Sequence, residues 1–127
     1  MKHLHKIKVL VVDDQEGMRK SLELFLATSD EFEYFNASSG KQCLDFISKN
    51  EIDLILLDIC MESDLAGIDV AEKIINNNKI KTPEIIFLTS FTEQKYIDQA
   101  KILNIPLVDK SITVPEIMEK IKKIFHS

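Results

Sequence analysis

Glycine is scarce in this chain: Gly17, Gly40 and Gly67 are the three present, and no G-x-G-x-x-G turn can be built from them. A bound pyrophosphate needs such a turn so that the backbone can approach it, which excludes a dinucleotide-binding domain. Cysteine is rarer still. Cys43 and Cys60 stand in different elements without CxxC spacing, a pattern of reduced structural thiols and not of a disulfide framework. Arg19 is the single arginine and the net charge is −5. Surfaces that bind nucleic acid cluster positive charge, so direct nucleic-acid binding is not expected. No apolar run reaches the roughly 18 residues that span a membrane. The opening MKHLHKIKV passes into a strand-like run without the small residues of a cleavage site, so no secretory signal is expected. These absences point to a cytoplasmic protein. His3, His5 and His126 share no helical or loop spacing, which makes them surface residues and not metal ligands.

What is present is alternation. With 127 residues, 45% of them hydrophobic, the chain suits one domain over residues 1–127. Five apolar runs stand out: Ile7 to Val12, Phe32 to Ala37, Ile52 to Leu57, Glu84 to Leu88 and Pro106 to Asp109. The first, third and fourth carry Val, Ile and Leu with little polar alternation, as strands buried on both faces do. The second and fifth are weaker and suit sheet edges. Helical periodicity follows each run: Met18, Leu22, Phe25 and Leu26 share one face, Ala71, Ile74, Ile75 and Asn78 another, and Ile117, Ile121 and Ile124 a third. The second helix starts from a Ser cap, the fourth from Thr92, and the fifth has Pro115 near its first turn. Five β-α units in a row dictate parallel strands with helices on both faces, because each crossover is right-handed and needs a helix to return.

In such a sheet the carboxyl ends of the strands share one edge, where ligands bind. The polar residues placed there are few: Asp13 and Asp14 after the first run, Asp58 after LILL, Thr89 after IIFL, and Lys110 after PLVD. Adjacent acids at the end of a buried strand lose hydration and repel each other, so the arrangement calls for a positive partner.

This ordered set resembles the receiver domain of two-component response regulators, and the resemblance covers nearly the whole chain. It implies a flavodoxin-like doubly wound (βα)5 three-layer α/β sandwich with strand order 2-1-3-4-5. It also implies that Asp58 is the phosphoacceptor, and that Asp13, Asp14, Asp58 and the backbone carbonyl of Cys60 hold Mg²⁺ or Mn²⁺. Hard oxygen ligands with retained water suit Mg²⁺, whereas the Cys60 thiol does not. Thr89 and Lys110 are the implied phosphoryl contacts. The implied donor is a sensor histidine kinase or phosphotransfer protein, and the implied output is the surface of the fourth helix, fifth strand and fifth helix. That surface would act on a downstream protein or an output domain, with homodimerisation as one route. No catalysis beyond self-phosphorylation and self-dephosphorylation is implied.

Three departures accompany the match. Leu107 occupies the position of the family's aromatic switch, Ser111 replaces the proline after the lysine, and the loop DICMESDLAG carries Glu62 and is one residue longer before Gly67. Cys60 and Phe91 fall where side chains flank the path of an attacking water. Neither orients water well, so a slowly hydrolysed acyl phosphate is expected. The competing reading is a phosphorylation-independent scaffold. A haloacid-dehalogenase-type phosphatase would need DxD after the nucleophile strand, which is missing.

Overall fold

The computed structural model describes residues 6–126. Its elements alternate as β1 (Ile7–Val12), α1 (Glu16–Leu26), β2 (Phe32–Ala37), α2 (Gly40–Lys49), β3 (Leu54–Leu57), α3 (Ala66–Ile75), β4 (Glu84–Thr89), α4 (Gln94–Ile102), β5 (Leu107–Asp109) and α5 (Val114–Phe125). The strands form one five-stranded sheet in the order β2-β1-β3-β4-β5, with all neighbours parallel. The weak second and fifth runs are the edges, as their composition predicts.

Strand alternation divides the core. Leu10, Val12, Ile55, Leu57, Ile85 and Phe87 face one side, where they pack with Cys43 and Ile47 of α2, Val70 and Ile74 of α3, and Tyr96 and Ala100 of α4. Val9, Val11, Leu54, Leu56, Ile86 and Leu88 face the other, against Leu22 and Leu26 of α1 and Ile117, Met118 and Ile121 of α5. Both faces of the central strands are thus apolar, which is why their sequences do not alternate. Each fully buried Leu, Ile or Phe contributes on the order of 2 kcal/mol relative to exposure.

Local chemistry sets the helix ends. The Ser39 hydroxyl accepts from the Gln42 amide at 3.1 Å, the Ser cap expected for α2. Helix α5 opens with a capping box between Thr113 and Glu116 and Pro in its first turn. The fourth helix departs from expectation: its N-cap is Glu93, not Thr92, and no side chain caps it. Helix α4 closes through Asn104 at φ 59°, where the Ile105 amide donates to Ala100 and the Asn104 amide to Lys101. This left-handed closure turns the chain into β5, and asparagine tolerates it better than most residues. Two further corrections concern pattern. β3 begins at Leu54 and not Ile52, because Ile52 packs into the core ahead of the paired ladder. On α3, Ile75 is 40% exposed and Asn78 lies beyond the helix, so the buried face is Val70, Ala71 and Ile74.

Candidate functional site

The side chains at the carboxyl edge of the sheet are unlike the rest of the interior. Among the described residues, the buried polar or charged ones are Asp13, Asp58, Thr89 and Lys110. Asp13 and Asp58 follow the adjacent strands β1 and β3, Thr89 ends β4, and Lys110 follows β5. The ladder fixes their relative heights: the Asp58 amide donates to Val12 at 3.0 Å and the Lys110 amide to Thr89 at 3.0 Å. Chain positions 97 apart meet because parallel pairing brings every strand end to one edge.

Lys110 bridges the acids. Its Nζ donates to Asp13 Oδ2 at 2.6 Å and to Asp58 Oδ2 at 3.0 Å, in pairs whose side chains are at most 5% exposed. The ammonium is a positive partner for Asp13, the buried one of the two adjacent acids, and for Asp58, while Asp14 is exposed. Burial alone would pull its pKa down, but the hydrogen bond to Asp13 and the charges of Asp58 and Asp13 outweigh this and leave it raised. Asp58 runs the opposite way for a carboxylate in an ion pair. Desolvation by burial raises it more than Lys110 lowers it, and the neighbouring Asp13 adds to the rise.

The two carboxylates are satisfied unequally. Asp13 uses both oxygens, since Oδ1 accepts from the Gln15 amide at 2.8 Å while Oδ2 takes Lys110. Asp58 Oδ1 is buried and has no hydrogen-bond partner. A buried acceptor left unmade is costly, and a carboxylate oxygen more so. Asp14 is exposed, yet it completes a group in which one oxygen each from Asp13, Asp14 and Asp58 lie within 4.8 Å of one another. Three hard oxygen donors around an orphaned lone pair fit a small divalent cation with retained water, the coordination habit of Mg²⁺.

Gly67 is a site residue that sequence reading had noted only for its loop. A Cβ there would stand 2.0 Å from the Asp58 carbonyl oxygen and 2.7 Å from the Ile59 Cα, and the Gly67 amide donates to Ile59 at 2.7 Å. The first turn of α3 thus lies directly on the backbone of Asp58. Backbone cannot rotate out of the way as a side chain can, so Gly67→Ala is expected to lower unfolding free energy by about 2–3 kcal/mol. Chemical denaturation read by far-UV circular dichroism measures this. An unchanged midpoint would show that the approach is looser than the geometry gives.

The remaining predicted positions separate into those that join the cluster and those that do not. Thr89 is fully buried, and its Oγ1 accepts from the Phe91 amide at 3.2 Å. Leu107 pairs with Phe87 across the ladder and packs into the core, so it is a spacer of the β4–β5 edge. The peptide bond into Ser111 is trans. The Cys60 thiol donates to the Asp64 carbonyl at 3.1 Å, and the half-exposed Phe91 ring lies against Tyr96 at 5.9 Å. Both side chains have partners away from the carboxylates. His126 is exposed and meets Glu31 at 2.9 Å, while His3 and His5 lie outside the described residues. Sequence reading gave no contact to Arg19, whose Nη1 donates to the Asp13 carbonyl at 2.6 Å, or to Glu62, noted there only as a departure in its loop, which accepts from the Gly40 amide at 3.4 Å. Neither carries a local sequence signal, since each reaches its partner only through the fold.

Known proteins share this fold and much of this sequence pattern. The chemotaxis response regulator CheY4 of Vibrio cholerae has a similar structure, with a TM-score of 0.83 at 21% identity over 94% of this chain and 99% of that one. The sporulation initiation phosphotransferase F of Bacillus subtilis is 32% identical, covering 91% of each chain. A protein-glutamate methylesterase/protein-glutamine glutaminase of Methanococcus maripaludis is 33% identical over 94% of this chain, which spans only 34% of that protein. The uncharacterized transcriptional regulatory protein YhcZ of Bacillus subtilis is 29% identical, and this chain spans 54% of its length. The family model described as the response regulator receiver domain matches residues 9–122, all of the sheet but the first two residues of β1 and with it the acidic edge, and the chain therefore belongs to the response regulator receiver domains of two-component signalling.

Proposed function

We propose that this receiver takes a phosphoryl group on Asp58 from a phosphohistidine of a sensor histidine kinase or phosphotransfer protein. The observation that carries the reading is the buried, unpartnered Asp58 Oδ1 beside an Oδ2 held by Lys110. An Asp58 carboxylate oxygen attacks phosphorus, the P–N bond of the donor breaks, and the imidazole leaves with that electron pair. The product is an acyl phosphate. A loose transition state asks mainly for alignment and charge neutralisation. Lys110 supplies a point charge that can pass from the carboxylate to a phosphoryl oxygen, since its ammonium is already within reach of Asp58. Asp13, Asp14, Asp58 and the Cys60 carbonyl are the residues that would hold Mg²⁺ (or Mn²⁺). That ion supplies neutralisation of the clustered carboxylates and of the incoming phosphoryl oxygens. Thr89, whose Oγ1 accepts from the Phe91 amide, donates its hydroxyl proton to a phosphoryl oxygen, and the β4–α4 loop follows.

The output in this reading is a population shift in the surface of α4, β5 and α5, which alters the docking of a downstream protein, a linked output domain or a second copy. The domain spans residues 1–127, and its chemistry is confined to Asp58 itself. Cys60 and Phe91 prolong the acyl phosphate because neither offers a group that orients water toward Asp58, the thiol being hydrogen-bonded to Asp64 and the phenyl ring lying against Tyr96. Among the described residues no helix is long and apolar enough to cross a membrane.

Beryllofluoride, which mimics the bound phosphoryl group, tests the proposal. Saturable binding is expected with Mg²⁺ present and none without it, read by NMR shifts at Asp58, Thr89 and Lys110. Absence of binding at millimolar Mg²⁺ would favour the phosphorylation-independent scaffold.

A further inference from the structure

Outside the carboxylate cluster, a second group of side chains ties the loop after β3 to helix α4. Asp64 Oδ2 accepts from Lys95 Nζ at 3.0 Å, and Asp64 Oδ1 accepts from the Tyr96 hydroxyl at 2.5 Å. Tyr96 is only 3% exposed, and the Lys95 ammonium lies 4.9 Å from its ring centroid. The hydrogen bond from Tyr96, followed by that from Lys95, holds the Asp64 carboxyl below the usual carboxylate range. The same bond pushes the Tyr96 phenol up, so phenol and carboxylate are the stable forms at neutral pH.

The contacts continue in one direction toward Asp58 and in the other to Thr89. On one side the Cys60 thiol, two residues after Asp58, donates to the Asp64 carbonyl at 3.1 Å. On the other, the Tyr96 ring packs against Phe91 at 5.9 Å, and the Phe91 amide donates to Thr89 Oγ1 at 3.2 Å. A chain of neighbours therefore runs from Cys60, two residues after Asp58, through Asp64, Tyr96 and Phe91 to Thr89. It includes the aromatic residue with a polar handle that position 107 lacks.

We propose that the Asp64–Tyr96–Lys95 clasp couples the phosphoryl site to helix α4, holding the β4–α4 loop in the conformer in which Thr89 Oγ1 accepts from the loop's own Phe91 amide. The clasp opens as Thr89 moves. This inference rests on the acceptor reading of Asp58 and adds the route by which the site controls α4. A contact present in the resting conformer and broken in the modified one opposes modification, so its removal strengthens binding of whatever selects the modified conformer. The two ends of the clasp differ in weight. The Lys95–Asp64 pair is exposed, with side chains 60% and 62% accessible, and contributes little. The Tyr96 hydroxyl is the element that a buried ring fixes in place.

The experiment is a beryllofluoride titration at saturating Mg²⁺ on wild type, Tyr96→Phe, Asp64→Ala and Lys95→Met, repeated in a Thr89→Ala background. Tyr96→Phe keeps the ring volume and its contact with Phe91, and Asp64→Ala alters an exposed residue, so both retain the fold. Tyr96→Phe and Asp64→Ala are expected to bind about fivefold more tightly than wild type, with Lys95→Met within about twofold. In the Thr89→Ala background the gain should vanish, because the loop no longer needs to move. Helix α4 amides of free Tyr96→Phe should already lie partway toward their bound shifts. Equal or weaker binding by Tyr96→Phe, or a gain that survives Thr89→Ala, overturns the clasp while leaving Asp58 as acceptor. Wild type that binds no beryllofluoride overturns the acceptor reading and the clasp with it.

Discussion

Asp58→Asn should incorporate no acid-labile phosphate from acetyl phosphate in Mg²⁺, while wild type gains one phosphoryl group per chain by intact mass. The amide lacks the nucleophilic carboxylate oxygen, and the other nearby buried acid, Asp13, has both oxygens engaged by Lys110 and the Gln15 amide. Stoichiometric phosphate on the variant would place the acceptor elsewhere. The same substitution carries a stability signature without metal. The folded-state pKa of Asp58 lies above its ordinary value, with burial as the first cause. Such a group favours folding below its unfolded pKa and loses that contribution as pH rises through the folded pKa. At neutral pH the ionised Asp58 is therefore a burden on the metal-free fold. Asp58→Asn should melt no lower than wild type at pH 7 in a chelator, and its advantage should shrink as the pH falls from neutral into the carboxylate range. A variant that melts well below wild type at pH 7 would contradict this sign.

Lys110→Met is expected to have the opposite effect on the fold. It leaves Asp13 and Asp58 side by side, both buried, with no cation between them. Removing one partner of a buried pair costs about 3–5 kcal/mol because an uncompensated charge remains. Two charges remain here, but exposed Asp14 beside them shows that the cluster opens to water, which favours the lower end, about 3 kcal/mol. Millimolar Mg²⁺ should restore much of the loss, since a divalent ion neutralises the same oxygens. Thermal melts with and without Mg²⁺ measure both effects. If Lys110→Met melts with wild type in a chelator, the ammonium is not what holds the acids together. In the Asp58→Asn background the cost of Lys110→Met should be smaller, because a single buried carboxylate is then left unpaired.

The clasp and the cluster differ in how far they could be anticipated from sequence. Asp13, Asp14, Asp58, Thr89 and Lys110 each follow an apolar run directly, and parallel β-α alternation forces all such positions to one edge. Strand order at the edges was legible for a related reason. β2 and β5 are the runs with the fewest large aliphatics because each has only one neighbouring strand. Helix ends were legible where a side chain makes the cap, as at Ser39 and Thr113, and misread at Thr92, where the observed cap residue Glu93 makes no side-chain bond.

The sequence by itself determined the element order, the parallel sheet and the set of polar residues at its rim. These follow from local rules: the period of apolar residues, the handedness of a crossover, the chemistry of caps. Only the tertiary structure decided which Asp58 oxygen lacks a partner, that Lys110 spans both acids, that Gly67 must lie on the Asp58 carbonyl, and that Asp64 reaches Tyr96 across 32 positions. Those features depend on distances between side chains of different elements. No local pattern encodes them, because they are settled by how two packed faces of a twisted sheet bring separate loops together at ångström range.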